Sequence, residues 1–151
     1  MDKKFYITTP IYYPSAKPHM GHAYSSIIAD FFARFKFIDD YKVHFLTGTD
    51  EHGLKIQRSA ERAGKNPQIF CDQISQTFRD LSDTLNLSNT DFIRTTEARH
   101  KKTVQHLWNE LEKNDDIYLS NYSGWYSVSD EAFYNEDEIE ELEGKKIAIL
   151  S

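Results

Sequence analysis

Apolar side chains recur along the chain with two different periods, and the two periods alternate. Phe5 to Thr8 and Val43 to Thr47 are short runs of aromatic and β-branched residues, which predict buried strands. Gly21 to Ile38 carries apolar residues three and four positions apart, which predicts a helix. Asp91 to Thr95 predicts a third strand. Because strands that alternate with helices are typical of a parallel sheet, we expect an α/β fold.

Three further helices are predicted around these strands. Leu54 to Ala63 is expected to end at Gly64, because glycine commonly terminates helices. Asn66 and Pro67 then supply a cap and a first-turn proline for a second helix. Its apolar stripe consists of Ile69, Phe70, Ile74, Phe78, Leu81 and Leu85. A last helix is predicted to begin near Thr96.

Both the periodicity and the charge change near residue 115. Residues 111–151 carry eleven acidic and three basic side chains, a net charge of −8, whereas residues 1–110 have a net charge of +2, which together give the formal net charge of −6. Asn114-Asp115-Asp116 predicts a turn, and short strands are expected beyond it. We therefore expect one domain over residues 1–115 and the beginning of a second over 116–151. Lys146 to Ser151 predicts the start of a strand without a cap, so we expect the chain to be part of something longer.

Composition narrows the class of protein. The single cysteine, Cys71, excludes an intrachain disulfide and a zinc site built on paired thiolates, and it is consistent with a reducing compartment. No run of about 20 apolar residues exists, so no membrane span is predicted. The residues before Pro10 are too few for the core of a secretory signal. We expect a cytoplasmic protein.

The segment His19-Met20-Gly21-His22 follows a strand and a loop and opens a helix. Helix N-termini present unpaired N–H groups and a partial positive charge, which favour phosphate binding. Two imidazoles three residues apart share one side of the first turn and can both donate to phosphoryl oxygens. Two ordinary surface histidines, or a metal-binding pair, are the alternatives.

Two further segments carry candidate chemistry. Thr47 to Gly53 ends the second strand, where ligands of open parallel sheets bind, and its Asp50 can accept from an ammonium or a ribose hydroxyl. The glycines on both sides, Gly48 among them, are expected to turn the loop sharply; an exposed turn acid is the alternative. Ile11-Tyr12-Tyr13-Pro14 can wall an apolar pocket and offer a hydroxyl, although core packing explains the tyrosines equally well.

These segments together resemble the methionyl-tRNA synthetases, a family of class I aminoacyl-tRNA synthetases. The family signature is matched by FYITTPIYYPSAKPHMGHAYS, from Phe5 to Ser25, in which His19 to His22 resembles the HIGH motif. The block TGTDEHG resembles the one that separates the methionine enzymes from those for leucine, valine and isoleucine. Further matches are Phe92 to Thr96, Arg99 to Lys102 and Gly124 to Tyr126. The resemblance implies the first half of a Rossmann-type catalytic core and the start of a connective insertion.

The resemblance also implies an activity and its residues. The activity is ATP-dependent formation of methionyl adenylate and transfer of methionine to tRNA(Met), with Mg²⁺ accompanying ATP. His19 and His22 are implied as catalytic residues. The implied ATP-binding residues are Pro14, His19, Gly21 and His22. The implied methionine-binding residues are Ile11, Tyr13 and Asp50.

The chain departs from the family pattern in two ways. Many members insert a zinc knuckle that begins with a pair of cysteines, and the corresponding positions here are Ser127 and Asp130. We therefore expect no zinc. The lysine-rich KMSKS loop does not occur in residues 1–151, so the chain alone is expected to be inactive. Two other functions remain open: a nucleotidyltransferase of the related H-x-G-H superfamily, and a non-catalytic binding fragment derived from a synthetase.

Overall fold

Three parallel strands form the sheet that organises the first part of the chain. The computed structural model describes residues 3–142 and 144–149. Its strands β1 (Lys4–Thr8), β2 (Lys42–Thr49) and β3 (Asp91–Arg94) lie in the order β1-β2-β3. Both pairings are parallel, so the three carboxyl ends meet at one edge. The α/β class and the parallel sheet predicted from periodicity are confirmed.

Helices occupy the connections between the strands and follow the last one. They are α1 (Met20–Ile38), α2 (Leu54–Arg62), α3 (Pro67–Thr84) and α4 (Ala98–Lys113). The residues predicted to cap α3 and to end α2 do so. The Asn66 side chain accepts from the Gln68 backbone N–H at 2.9 Å, and Gly64 after α2 has a φ of +61°, which glycine adopts without strain. The predicted helices therefore exist, with ends displaced by one or two residues.

The helix α1 packs on the sheet through its small residues. Ala29 and Ala33 are buried against Phe45, with Ile7 and Val43 packed beside them. The large apolar side chains whose spacing predicts the helix are instead 41–69% exposed: Tyr24, Ile27, Ile28, Phe31, Phe32 and Phe35. The spacing thus locates the helix, while the buried face is the one with small side chains.

Residues from Asn109 onward form a second compact unit, distinct from the unit that ends at Trp108. It contains two antiparallel hairpins, β4 (Trp125–Ser127) with β5 (Ala132–Tyr134) and β6 (Ile139–Leu142) with β7 (Lys145–Ala148), and a 3₁₀ turn at Glu136–Glu138 between the hairpins. The short strands predicted after residue 116 are confirmed. Leu150 and Ser151 of the predicted last strand lie outside the described residues. The domain boundary at residue 115 stays a prediction.

Across residues 3–142 and 144–149, no helix is long and apolar enough to cross a membrane.

Candidate functional site

The loop after β1 extends the sheet at the carboxyl end of β2. The Tyr12 backbone N–H donates to the Gly48 carbonyl at 2.9 Å, and the Asp50 N–H donates to the Tyr12 carbonyl at 2.9 Å. These bonds hold the loop alongside the end of β2. Two of the segments that the sequence singles out, Ile11 to Pro14 and Thr47 to Gly53, therefore lie side by side at the edge where parallel sheets bind ligands.

Gly48 allows the central strand to approach its neighbour very closely. A Cβ added to Gly48 would lie 2.0 Å from the Ile93 carbonyl oxygen and 2.7 Å from the Ile93 Cγ2. The turn that the sequence predicts at Gly48 is wrong, because this glycine lies within β2 and serves close packing. Gly53, with a φ of +104°, is the residue that turns the chain into α2.

His19 and His22 cap the start of α1 reciprocally. The Gly21 backbone N–H donates to His19 Nδ1 at 3.1 Å, and the His19 backbone N–H donates to His22 Nδ1 at 3.0 Å. The two ring centroids are 3.9 Å apart, which confirms that the imidazoles share one side of the first turn. Gly21 is exposed between them. A Cβ at this position would lie 2.9 Å from the His19 ring, so the absence of a side chain leaves room for that ring.

This capping fixes the tautomer of both rings. A nitrogen that accepts a hydrogen bond carries no proton, so each neutral imidazole holds its proton on Nε2. Each Nε2–H is consequently free of the cap and available to donate to a ligand. The helix start thus provides two side-chain N–H donors, the Nε2–H groups of the two rings, in addition to its own unpaired backbone N–H groups.

Aromatic rings surround His22 and hold it in place. Its ring centroid lies 4.8 Å from that of Tyr12 and 5.1 Å from that of Phe78, both edge-on. The Tyr12 hydroxyl donates to the His22 carbonyl at 3.3 Å and lies 2.9 Å from Ser26 Oγ. Burial, and then the neighbouring His19, lower the pKa of His22 below its ordinary value of 6.5. Both effects favour the neutral ring that the cap requires.

A cleft of about 390 Å³ opens beside these histidines. Its lining includes five residues of the segments singled out from the sequence, and also Lys17; the five are Ile11, Tyr12, Tyr13, His19 and His22. Tyr12 and Pro14 are buried and anchor the loop, and Tyr12 also contributes to the cleft lining. Asp50 is outside the cleft lining and is held next to it by its bond to the Tyr12 backbone.

The two adjacent acids of the second segment have opposite environments. The Glu51 side chain is 0% exposed and accepts from Arg94 Nε at 2.6 Å and from Arg94 Nη2 at 2.9 Å. Hydrogen bonds from Thr49 and Thr96 complete its four contacts. Asp50 is partly exposed, and nothing in the described part of the chain hydrogen-bonds or pairs with its carboxylate.

Glu51 is a residue that the sequence alone did not single out. Burial opposes its charge, but the bonds from Arg94, Thr96 and Thr49 outweigh burial and lower the pKa of Glu51 below its ordinary value of 4.5. The sequence signal for this pair is Arg94, which lies in the segment from Phe92 to Thr96 at the end of the neighbouring strand. Parallel strand ends meet, so an acid at one and a base at the next can pair.

The second unit places Ser127 and Asp130 in one turn. Ser127 Oγ donates to Asp130 Oδ2 at 2.5 Å and accepts from the Asp130 backbone N–H at 3.3 Å. Side-chain and backbone hydrogen bonds thus close this turn. Among the residues that the structure describes, no group of three or more His, Cys, Asp or Glu side chains is arranged to hold a metal ion.

Known proteins resemble this chain over nearly its whole length. The family model for class I tRNA synthetases (M) matches residues 5–144. Methionine–tRNA ligase 1 of Bacillus cereus is 51% identical over 148 residues, which are 97% of this chain and 22% of that protein. The mitochondrial methionine–tRNA ligase of Takifugu rubripes is 51% identical over 138 residues, covering 91% of this chain and 23% of that protein.

A solved structure shows the same fold. The methionyl-tRNA synthetase of Mycobacterium tuberculosis in complex with methionyl-adenylate aligns with a TM-score of 0.92 and 47% identity, over 97% of this chain and 29% of that one. The Rossmann-type catalytic core implied by the family resemblance is thereby confirmed. The chain spans less than a third of the length of each of these three relatives.

Proposed function

The chain belongs to the class I tRNA synthetases of the methionyl type, and we propose that it forms the part of a methionine–tRNA ligase that binds ATP and activates methionine. The observation that carries this proposal is the cleft between the Ile11–Tyr13 loop and the His19–His22 helix start. Its lining combines nitrogen donors for phosphate, from the two histidines and Lys17, with the side chains of Ile11 and Tyr13. The relatives that match the chain are methionine–tRNA ligases.

The first reaction is an in-line displacement at the α-phosphate of ATP. A methionine carboxylate oxygen forms a bond to phosphorus while the bond to the pyrophosphate oxygen breaks, which yields methionyl adenylate and pyrophosphate. Charge grows on the α-phosphate oxygens as phosphorus becomes five-coordinate. The Nε2–H groups of His19 and His22 are placed to donate to that charge, and such fixed donors are worth about 3 kcal/mol each. Positioning and charge stabilisation therefore do the catalytic work.

The remaining site residues bind the two substrates. Asp50 supplies a carboxylate for the methionine ammonium, and its lack of a partner within the described residues suits that role. Ile11 and Tyr13 contact the thioether side chain, for which an apolar wall with a nearby hydroxyl is appropriate. Gly21 leaves space for the nucleotide against the helix start, and the buried Pro14 shapes the loop beneath ATP.

In the second step the methionyl group passes to the 3′ end of tRNA(Met), and AMP leaves. Mg²⁺ arrives with the ATP phosphates, and we assign it no ligand among the described residues.

We also propose that the chain binds no zinc, because Ser127 and Asp130 close their turn by hydrogen bonds. Elemental analysis that finds one zinc per chain after chelator treatment would refute this. We propose the cytoplasm as the compartment, although the Takifugu relative is mitochondrial.

Methionine-dependent exchange of labelled pyrophosphate into ATP tests the activation step. We propose that the chain is the N-terminal part of a longer enzyme, so the reading frame that encodes it should continue to a lysine-rich KMSKS-like loop. The full-length protein should catalyse exchange with methionine, and residues 1–151 alone should not. Exchange that requires no amino acid would favour a nucleotidyltransferase, and a stop codon after residue 151 would favour a binding fragment.

A further inference from the structure

We infer that the buried pair of Glu51 and Arg94 positions the Asp50 carboxylate for the methionine ammonium. This inference rests on the proposed function, because it deepens the role proposed there for Asp50. Glu51 touches no substrate, since its side chain is 0% exposed. Its effect would pass through the backbone of the preceding residue.

The Glu51 carboxylate joins the ends of two strands and, through Arg94, a helix. Its oxygens accept from Thr49 at the end of β2, and from Arg94 and Thr96 at the end of β3. Arg94 continues to Asp72 on α3 at 2.6 Å, so one guanidinium spans two carboxylates. The Glu51 backbone is held as well, because its N–H donates to Thr95 Oγ1 at 2.8 Å.

Asp50 lies between two fixed points. Its own N–H is bonded to the Tyr12 carbonyl at 2.9 Å, and the next residue is the fully buried Glu51. Within the described residues the Asp50 carboxylate itself has no hydrogen-bond or ion-pair partner that would orient it. Its direction is therefore set by the backbone on either side, and Glu51 holds one of those sides.

Positioning explains this pair better than stability alone. A buried ion pair is weak evidence for stability, because desolvation offsets much of the attraction between the charges. A two-pronged contact between a guanidinium and a carboxylate, in contrast, fixes geometry. Charged groups that bind a substrate need placement within about 0.5 Å, which such a contact between two strand ends can provide.

The test is Glu51→Gln in the full-length protein, with pyrophosphate exchange measured against both substrates. An amide nitrogen cannot accept a hydrogen bond, so the variant loses the contacts at one of the two oxygens and leaves Arg94 partly unpaired. We expect the KM for methionine to rise about 10- to 100-fold, since small misplacements of a binding group have effects of that size. The KM for ATP should change by less than about threefold, because the histidine cap is untouched.

Asp91→Asn is the matched control. Asp91 lies on the same strand and accepts two bonds from Arg99, at 2.6 and 2.9 Å, but at the opposite end of β3 from the cleft. Its side chain is 31% exposed. Losing this pair should leave both KM values within about twofold of wild type, as is usual for exposed pairs.

Cys71 provides a local check on folding. The residue is 2% exposed, and its thiol donates to the Glu51 carbonyl at 3.9 Å. The rate at which a thiol reagent modifies Cys71, measured by mass spectrometry of the peptide that contains it, therefore reports whether the backbone at Glu51 is intact. A higher KM for methionine in Glu51→Gln, with Cys71 still protected, would support the positioning role. If Cys71 becomes reactive in Glu51→Gln, the test is repeated with Arg94→Lys, which keeps the charge. A higher KM for methionine with an unchanged KM for ATP in that variant would then support the positioning role.

Three results would overturn the inference. They are unchanged KM values in Glu51→Gln, equal increases in both KM values, and loss of Cys71 protection in both variants, which would assign the pair to stability. A wild-type protein that shows no methionine-dependent exchange would instead refute the proposed function itself. The two failures are therefore distinguishable.

Discussion

The reciprocal histidine cap allows the phosphate-binding role of His22 to be separated from its structural role. In His22→Asn, the amide oxygen takes the place of Nδ1 and can still accept from the His19 N–H, which is bonded at 3.0 Å in the native protein. The variant has no equivalent of Nε2–H. His22→Ala loses both groups. Comparing the two variants therefore isolates the donor that we assign to the α-phosphate.

The two losses differ in size and in the measurement that reports them. Removing a donor to developing charge costs about 3 kcal/mol, so both variants should slow pyrophosphate exchange roughly 100-fold. Both variants lose the ring contacts of His22 with Tyr12 and Phe78, but only His22→Ala also loses the cap acceptor. Because that acceptor contributes about 1 kcal/mol of folding free energy, denaturant unfolding should show His22→Ala to be less stable than His22→Asn by about that amount. The control is His106→Asn on the exposed surface of α4, which should leave both measurements unchanged. Exchange by His22→Asn at a rate close to wild type would refute the assignment.

Four further results are expected. Asp50→Asn should weaken methionine binding in calorimetry by about 1.5–3 kcal/mol, because a charge-assisted bond is lost; unchanged affinity would make Asp50 a turn acid. Gly48→Ala should reduce the unfolding free energy by at least about 2 kcal/mol in denaturant titrations, since its Cβ would overlap the Ile93 carbonyl. Burial raises the pKa of Cys71 to about 11, so a thiol reagent should modify the native chain slowly at pH 7, and rapid labelling would contradict that burial. The pKa of His22 is lowered from 6.5, so the unfolded state binds more protons and stability should fall as the pH drops below 6.5, with a smaller effect in His22→Asn.

The elements that the sequence predicted correctly have strong local signals. Alternating periods identify the strands and helices, and the three-residue spacing of His19 and His22 predicts that their rings share one side of the helix start. The spacing cannot show, however, that both rings accept at Nδ1, because the loop conformation before α1 decides this. It also cannot show which face of α1 is buried. That outcome depends on how closely the helix can approach the sheet, and Ala29 and Ala33 permit a closer approach than the large residues do.

The buried ion pair illustrates a different limit. In sequence, Asp50 and Glu51 are two adjacent acids that both suit a turn. Their environments diverge because Glu51 meets Arg94, which is 43 positions away in the chain. Long-range pairing of this kind leaves no local periodicity. The sequence could therefore name Asp50 as a candidate acceptor, but it could not show that Glu51 beside it is buried and paired.

The histidine cap also has a consequence for the ionic strength at which the site operates. Because both imidazoles accept hydrogen bonds at Nδ1, they would meet the phosphates of the proposed ATP substrate as neutral dipoles and not as cations. Dissolved ions screen the attraction between full charges over about 10 Å at 0.1 M salt, whereas short hydrogen bonds from neutral groups are affected far less. The contribution of these two imidazoles to phosphate binding should therefore change little between dilute and concentrated salt, whereas any contribution from Lys17, which also lines the cleft, should weaken as salt is added.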